Sequence, residues 1–152
     1  MLPGATLHAT CVLVGEAGVL IRGASGAGKS ALAHMLIEQA ALRGDFARLI
    51  CDDRVRVWGR NGRLLARPVP PLEGRLEVRG VGLLGLPHEP AAIVRLIVDC
   101  LAQAPTRLPE AAERSDVVEG VVLPRLALRV DPAVALIVLW RLRDLDDTVT
   151  AQ

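Results

Sequence analysis

The chain has 152 residues, 51% of them apolar, with 18 basic and 17 acidic side chains. That length suits one compact core, and a formal charge of +1 gives no general pull toward nucleic acid or an anionic membrane. One Phe and no Tyr exclude aromatic stacking on bases as a main binding mode, and three scattered cysteines without C-x-x-C spacing argue against a disulfide framework or zinc site. With neither an apolar run long enough to span a membrane nor a basic-then-apolar leader, the sequence predicts a soluble, cytoplasmic protein with reduced thiols.

In chain order, "ATCVLVG" and "GVLIRG" flank Glu16-Ala17-Gly18 and predict a hairpin feeding a buried strand that ends at Gly23. Residues 30–43, "SALAHMLIEQAALR", are helix formers with Leu32, Met35, Leu36 and Leu42 near helical spacing, stopped by Gly44. "ARLICDDRVRVWG" predicts a core strand that continues as an edge hairpin strand, turned by Asn61-Gly62 into "RLLARPV". "PVPPLEG" breaks regular structure, and "RLEVRGVGLLGLP" predicts a short strand leading into a glycine-bearing loop. "EPAAIVRLIVDCLA" predicts a helix with Pro90 in its first turn and Ile93, Leu96, Ile97 and Leu101 on one face. "APTRLPEAAERSDVVEG" reads as a surface loop, "VVLPRLALRV" as a strand, Asp131-Pro132 as a turn and "AVALIVLWRLR" as a closing helix.

The strongest chemical signal is Gly23-Ala24-Ser25-Gly26-Ala27-Gly28-Lys29-Ser30, which fits G-x-x-x-x-G-K-[ST] between a predicted strand and a predicted helix. Glycines let successive N–H groups face a phosphate, and the helix N-terminus adds about half a positive charge. Lys29 is placed to bridge the β- and γ-phosphates and Ser30 to ligate magnesium, so the expected ligand is ATP or a similar oligophosphate with Mg2+. Lys29 is also the only lysine in the chain, which leaves none for the N/T-K-x-D segment of a small GTPase.

Asp52 and Asp53 follow the apolar run "RLIC", where P-loop proteins carry a magnesium-associated carboxylate. Adjacent acids on a strand point to opposite faces, so one is expected to face the metal or substrate and the other to anchor structure. A carboxylate there can also accept the proton of an attacking hydroxyl. His8, at the start of the hairpin, is placed to pair with Asp52 or Asp53, although a surface histidine is the commoner case. His34 and His88 read as surface residues.

Taken together, "HATCVLV", "GASGAGKS", "LICDDRV" and "LEVRGVGLLGLP" resemble the bacterial HPr kinase/phosphorylase family, in a short form consisting of the catalytic domain over residues 1–152 without the N-terminal domain of the long form. The resemblance implies an α/β P-loop fold with a mixed sheet and flanking helices, related to the phosphoenolpyruvate carboxykinase arrangement. It implies a kinase that transfers phosphate from ATP, or pyrophosphate in some members, to a serine of the phosphocarrier protein HPr, and commonly a hexamer. It also implies His8 as the active-site histidine, Lys29 as the phosphate-binding lysine, Ser30 and Glu77 as magnesium ligands, and Asp52-Asp53 as the catalytic acid and its neighbour. By the same resemblance Leu76 to Gly85 form a signature segment and Arg114, in "AERSD", matches an active-site arginine.

"LRVDPA", Leu128 to Ala133, stands where the family's phosphorolysis loop is basic and glycine-containing, which implies a kinase-dominant enzyme. Two rival readings use the same loop: a small-molecule P-loop kinase with "TRLPEAAERSDVVEG" as a lid, and a non-catalytic ATP-binding regulatory module.

Overall fold

The computed structural model describes residues 4–70, 74–78 and 80–150. In chain order these form β1 (Ala5–Leu7), β2 (Ala9–Val14), β3 (Ala17–Gly23), α1 (Lys29–Leu42), β4 (Ala47–Cys51), β5 (Val55–Arg60), β6 (Arg63–Pro68), β7 (Arg75–Val78), β8 (Gly82–Gly85), β9 (Ala92–Leu101), β10 (Ser115–Val118), β11 (Val121–Arg129) and α2 (Val134–Thr150), with a 3-10 turn at Ala111–Glu113. Residues 71–73 of the proline-rich break and Arg79 of the signature segment lie outside the described residues.

The main sheet runs β1-β5-β6-β9-β3-β2-β4, with β11 added to β9 and β10 to β11. β9 pairs with β3 in parallel along one edge. On the other edge β6 takes its first residues in antiparallel and β11 takes residues 97–101 in parallel. β3, β9 and β11 therefore end on the same side, where open α/β sheets bind ligands.

Two apolar cores result. One packs Val19, Ile21, Leu96 and Val98 against Leu32 and Leu36 of α1 and Val138 of α2. The other gathers Cys11, Leu20, Val55, Val57, Leu64, Val94, Ile97 and Val121 from strands at both ends of the sheet, so the sheet curls around it.

The helix expected over "EPAAIVRLIVDCLA" is instead the central strand β9. Its register against β3 shifts beyond Gly18, from Gly18 opposite Val94 to Val19 opposite Leu96. This bulge puts Ala92, Val94 and Ile97 into one core and Leu96, Val98 and Cys100 into the other. A strand buried on both faces reads as a continuous apolar run, which mimics helical spacing by accident. Its β-branched Ile93, Val94, Ile97 and Val98 fit the pleat.

Three other expectations change. The strand expected to continue through "ARLICDDRVRVWG" is broken at Asp52-Asp53, where Asp53 takes φ +68; β4 becomes an edge strand beside β2, and β5 lies between β1 and β6. The glycine-bearing loop after β7 returns as β8, closing a two-stranded hairpin. Part of the expected surface loop "APTRLPEAAERSDVVEG" is β10, paired antiparallel with β11. The first hairpin, α1, the Asn61-Gly62 turn and β11 form as the sequence predicts, and the expected closing helix forms as α2 but continues past Arg143 to Thr150.

Candidate active site

β3 delivers the phosphate loop at its carboxyl end. Gly23 there has φ +155, and a Cβ would lie 2.9 Å from the Cys100 carbonyl oxygen, so only glycine lets the loop leave β3 this close to β9. Gly28 is the N-cap of α1 in a left-handed conformation; no side chain caps the helix and no acid occupies its first turn. Its positive end and first N–H groups therefore face the loop with no acid from the helix's own first turn beside them.

Lys29 is only 7% exposed. Its Nζ donates to the carbonyl oxygens of Gly23 at 2.9 Å and Ala24 at 3.2 Å, so the ammonium is drawn back over the loop. Ser30 Oγ donates to Asp52 Oδ1 at 2.8 Å. The same oxygen accepts from the fully buried Thr10 hydroxyl at 2.9 Å, and Asp52 Oδ2 accepts from the Glu77 backbone N–H at 3.2 Å. Asp52 thus ties α1, β2 and β7 together.

Asp53 turns the other way. Its N–H reaches Thr10 Oγ1 at 3.4 Å, and its Oδ1 lies 3.1 Å from His8 Nε2, with both side chains about half exposed (54% and 56%). The two acids diverge as expected, but through the left-handed backbone of Asp53 rather than strand alternation. Asp accepts that conformation more readily than most residues. The arrangement makes Asp52 the anchor and leaves Asp53 the accessible carboxylate.

The structure therefore links His8, Asp53, Thr10, Asp52, Ser30 and the Glu77 backbone through successive polar contacts, while Lys29, next to Ser30 in the chain, bonds separately to Gly23 and Ala24. Arg114 is exposed; its Nε donates to the Pro109 carbonyl oxygen at 3.3 Å, and none of its hydrogen bonds reaches the phosphate loop or the acid pair. His34 and His88 are exposed, as expected. For magnesium, the Ser30 hydroxyl and the Asp52 carboxylate are adjacent hard oxygen donors at the helix N-terminus; this fits an ion that takes one or two protein oxygens and completes its shell with phosphate and water.

Two features escaped the sequence reading. Thr10, a polar residue within an apolar strand, was its one local signal. The other is a charge network at the ends of β3, β9 and β11. Arg22 donates to both Asp99 oxygens at 2.7 and 2.8 Å and to Asp116 at 2.8 Å. Arg125 Nε donates to Asp99 at 2.5 Å. Burial pushes the Asp99 carboxyl up, but the Arg22 and Arg125 hydrogen bonds outweigh it and hold the group below its ordinary range. The Arg22 hydrogen bond likewise lowers Asp116, and Arg22 itself is raised, mainly by its bond to Asp99.

A depressed folded-state carboxyl contributes stability above the unfolded value, about pH 3.9, and loses it as pH falls further. Asp99→Asn is therefore expected to cost roughly 1–3 kcal/mol at pH 7. Urea midpoints of wild type and variant should converge between pH 5 and about pH 2; a gap unchanged over that range would contradict the assignment. The three cysteines are free and buried, and burial pushes all three thiols up, that of Cys100 to about 11.

A glycine loop that closes a strand onto a helix N-terminus, with lysine and serine opening the helix and a strand-end carboxylate beside them, defines a P-loop domain on a mixed α/β sheet. The profile described as "HPr Serine kinase C-terminal domain" matches residues 1–89, and the chain belongs to that family. Curated relatives named "HPr kinase/phosphorylase" include one from Limosilactobacillus reuteri (strain DSM 20016), 32% identical over 86% of this chain and 42% of its own length. Another, from Clostridium beijerinckii, is 40% identical over 55% of this chain and 26% of its own. The chain thus spans less than half the length of these relatives. The solved structure titled "Structure of the Hpr(Ser) kinase/phosphatase from Coxiella burnetii" superposes with a TM-score of 0.77 over 96% of this chain and 99% of that one, at 22% identity, which shows the shared fold. Among the described residues no helix is long and apolar enough to cross a membrane.

Proposed function

We propose that this domain is a protein-serine kinase that transfers the γ-phosphoryl group of ATP to a serine of HPr. The observation that carries this reading is the division of labour between two adjacent acids. Asp52 is buried and engaged by Thr10, Ser30 and the Glu77 N–H, whereas Asp53, the next residue, stands exposed beside His8.

In this reading the loop N–H groups and Lys29 hold the phosphate chain, and Ser30 with Asp52 would hold a magnesium ion, which would supply positive charge against that of the transferring group. Asp53 accepts the seryl proton as the serine oxygen attacks, and His8 orients its carboxylate. Glu77, whose backbone N–H bonds Asp52, would bring its exposed carboxylate to the same ion as a further ligand. Arg114 would act only if its loop moves toward the phosphates. Residues 128–133 differ from the family's basic phosphorolysis loop, which favours the forward reaction.

Incubation with labelled ATP, Mg2+ and purified HPr tests the proposal, with phosphoserine located by mass spectrometry. Label on an HPr serine is the expected result. Tight ATP binding with no transfer to HPr would refute it in favour of a metabolite kinase or a nucleotide-binding regulator.

A further inference from the structure

Beyond the phosphate loop lies a second concavity. It measures about 400 Å3 and sits between the chain leaving β9 and the junction of β11 with α2. Its lining includes Pro105 from the chain after β9, Leu128, Val130, Val134 and Ile137 from the β11–α2 junction, and the side chain of Arg129. This volume falls in the range of small-molecule sites, roughly 300–1,000 Å3.

Its position relates it to the phosphate loop. A Cβ built on Gly28 would meet Val130 Cβ at 3.0 Å, so Val130 touches the loop at the N-terminus of α1 while also lining the cavity. Gly23, at the other end of the loop, rests on Cys100, one residue before β9 ends and its chain runs on toward the cavity wall. The concavity therefore lies outside the carboxyl ends of parallel β9 and β11, beside that of β3.

We infer that this concavity is the nucleobase subsite of the nucleotide held by the phosphate loop. Its apolar walls suit the flat faces of a base. Asp131, also in the lining, accepts through Oδ1 from the Ala133 and Val134 N–H groups at 2.8 and 3.2 Å and so caps α2. The base is held mainly through its faces, and Arg129 is the cationic side chain of the lining, suited to the sugar-phosphate end. This segment coincides with Leu128 to Ala133, so its departure from the family's loop falls on the wall of the base subsite.

The inference rests on the ATP-dependent reading, and its test separates the two. Calorimetric titrations with Mg-ATP and with Mg-tripolyphosphate, which carries the phosphates but no base, are compared for wild type, Ile137→Gln and Leu128→Ala. Ile137 is exposed on α2, whereas Leu128 is partly buried and packs against the core, so thermal melting of the Leu128→Ala variant accompanies the titrations and the tripolyphosphate arm reports any general loss of structure. Each variant is expected to weaken ATP about tenfold while leaving tripolyphosphate unchanged. ATP affinity equal to wild type in both variants would place the base elsewhere and overturn the inference, as would equal weakening of both ligands. Wild-type protein that binds neither ligand would overturn the kinase proposal itself.

Discussion

Lys29→Arg is expected to fold, and yet to lose phosphoryl transfer by about 10²–10³-fold or more. The ammonium sits in a space that is 7% exposed and donates to two carbonyl oxygens of its own loop, at 2.9 and 3.2 Å. Those donors must swing onto phosphate oxygens, a rotation that a compact ammonium on a four-carbon stem makes easily. A planar guanidinium has fixed donor directions and a broader head, and it does not fit the same arc. Lys29→Ala should lose transfer to at least the same extent.

The stability cost of either change is bounded by two hydrogen bonds from a charged donor, roughly 1.5–3 kcal/mol each at most, and the freed loop carbonyls can turn to water. Thermal melting should thus show a folded domain in both variants. Transfer by Lys29→Arg within a few-fold of wild type would sink this account of the site.

Asp53→Asn should slow transfer by about 10²–10⁴-fold at saturating ATP while nucleotide affinity stays near wild type. Asparagine is well suited to the left-handed backbone at φ +68, so the substitution removes a proton acceptor without disturbing the turn. Asp52→Asn should behave differently. An amide cannot accept from Ser30, Thr10 and the Glu77 N–H together, because one oxygen becomes a donor facing a donor. Lower stability and weaker Mg-ATP binding are expected there, ahead of any effect on rate. Identical kinetic signatures for the two variants would refute the assignment of Asp53 as base and Asp52 as anchor.

The parts of this site legible in the sequence are those whose partners lie close along the chain. "GASGAGKS" dictates its own geometry, since the glycines, the lysine and the helix start are contiguous. "CDDRV" announces two acids, but not which one is buried. That depends on Thr10, 42 residues away, and on the Glu77 N–H, 25 residues away.

The same limit explains β9. Its apolar pattern satisfies a helix locally, and only pairing with β3, β6 and β11 makes it a strand. Arg22, Asp99, Asp116 and Arg125 are invisible for a related reason, because each reads as an ordinary surface charge until the strand ends converge.

The contacts beneath the phosphate loop also order events during synthesis. The motif is complete once Ser30 has been added, but Gly23 rests on Cys100 and Gly28 against Val130. A nascent chain that ends short of those residues carries the nucleotide motif without the floor that shapes it. Such long-range contacts form late and are costly to close. On the proposed kinase reading, nucleotide is therefore expected to stabilise the fold only once the chain through Val130 has left the ribosome.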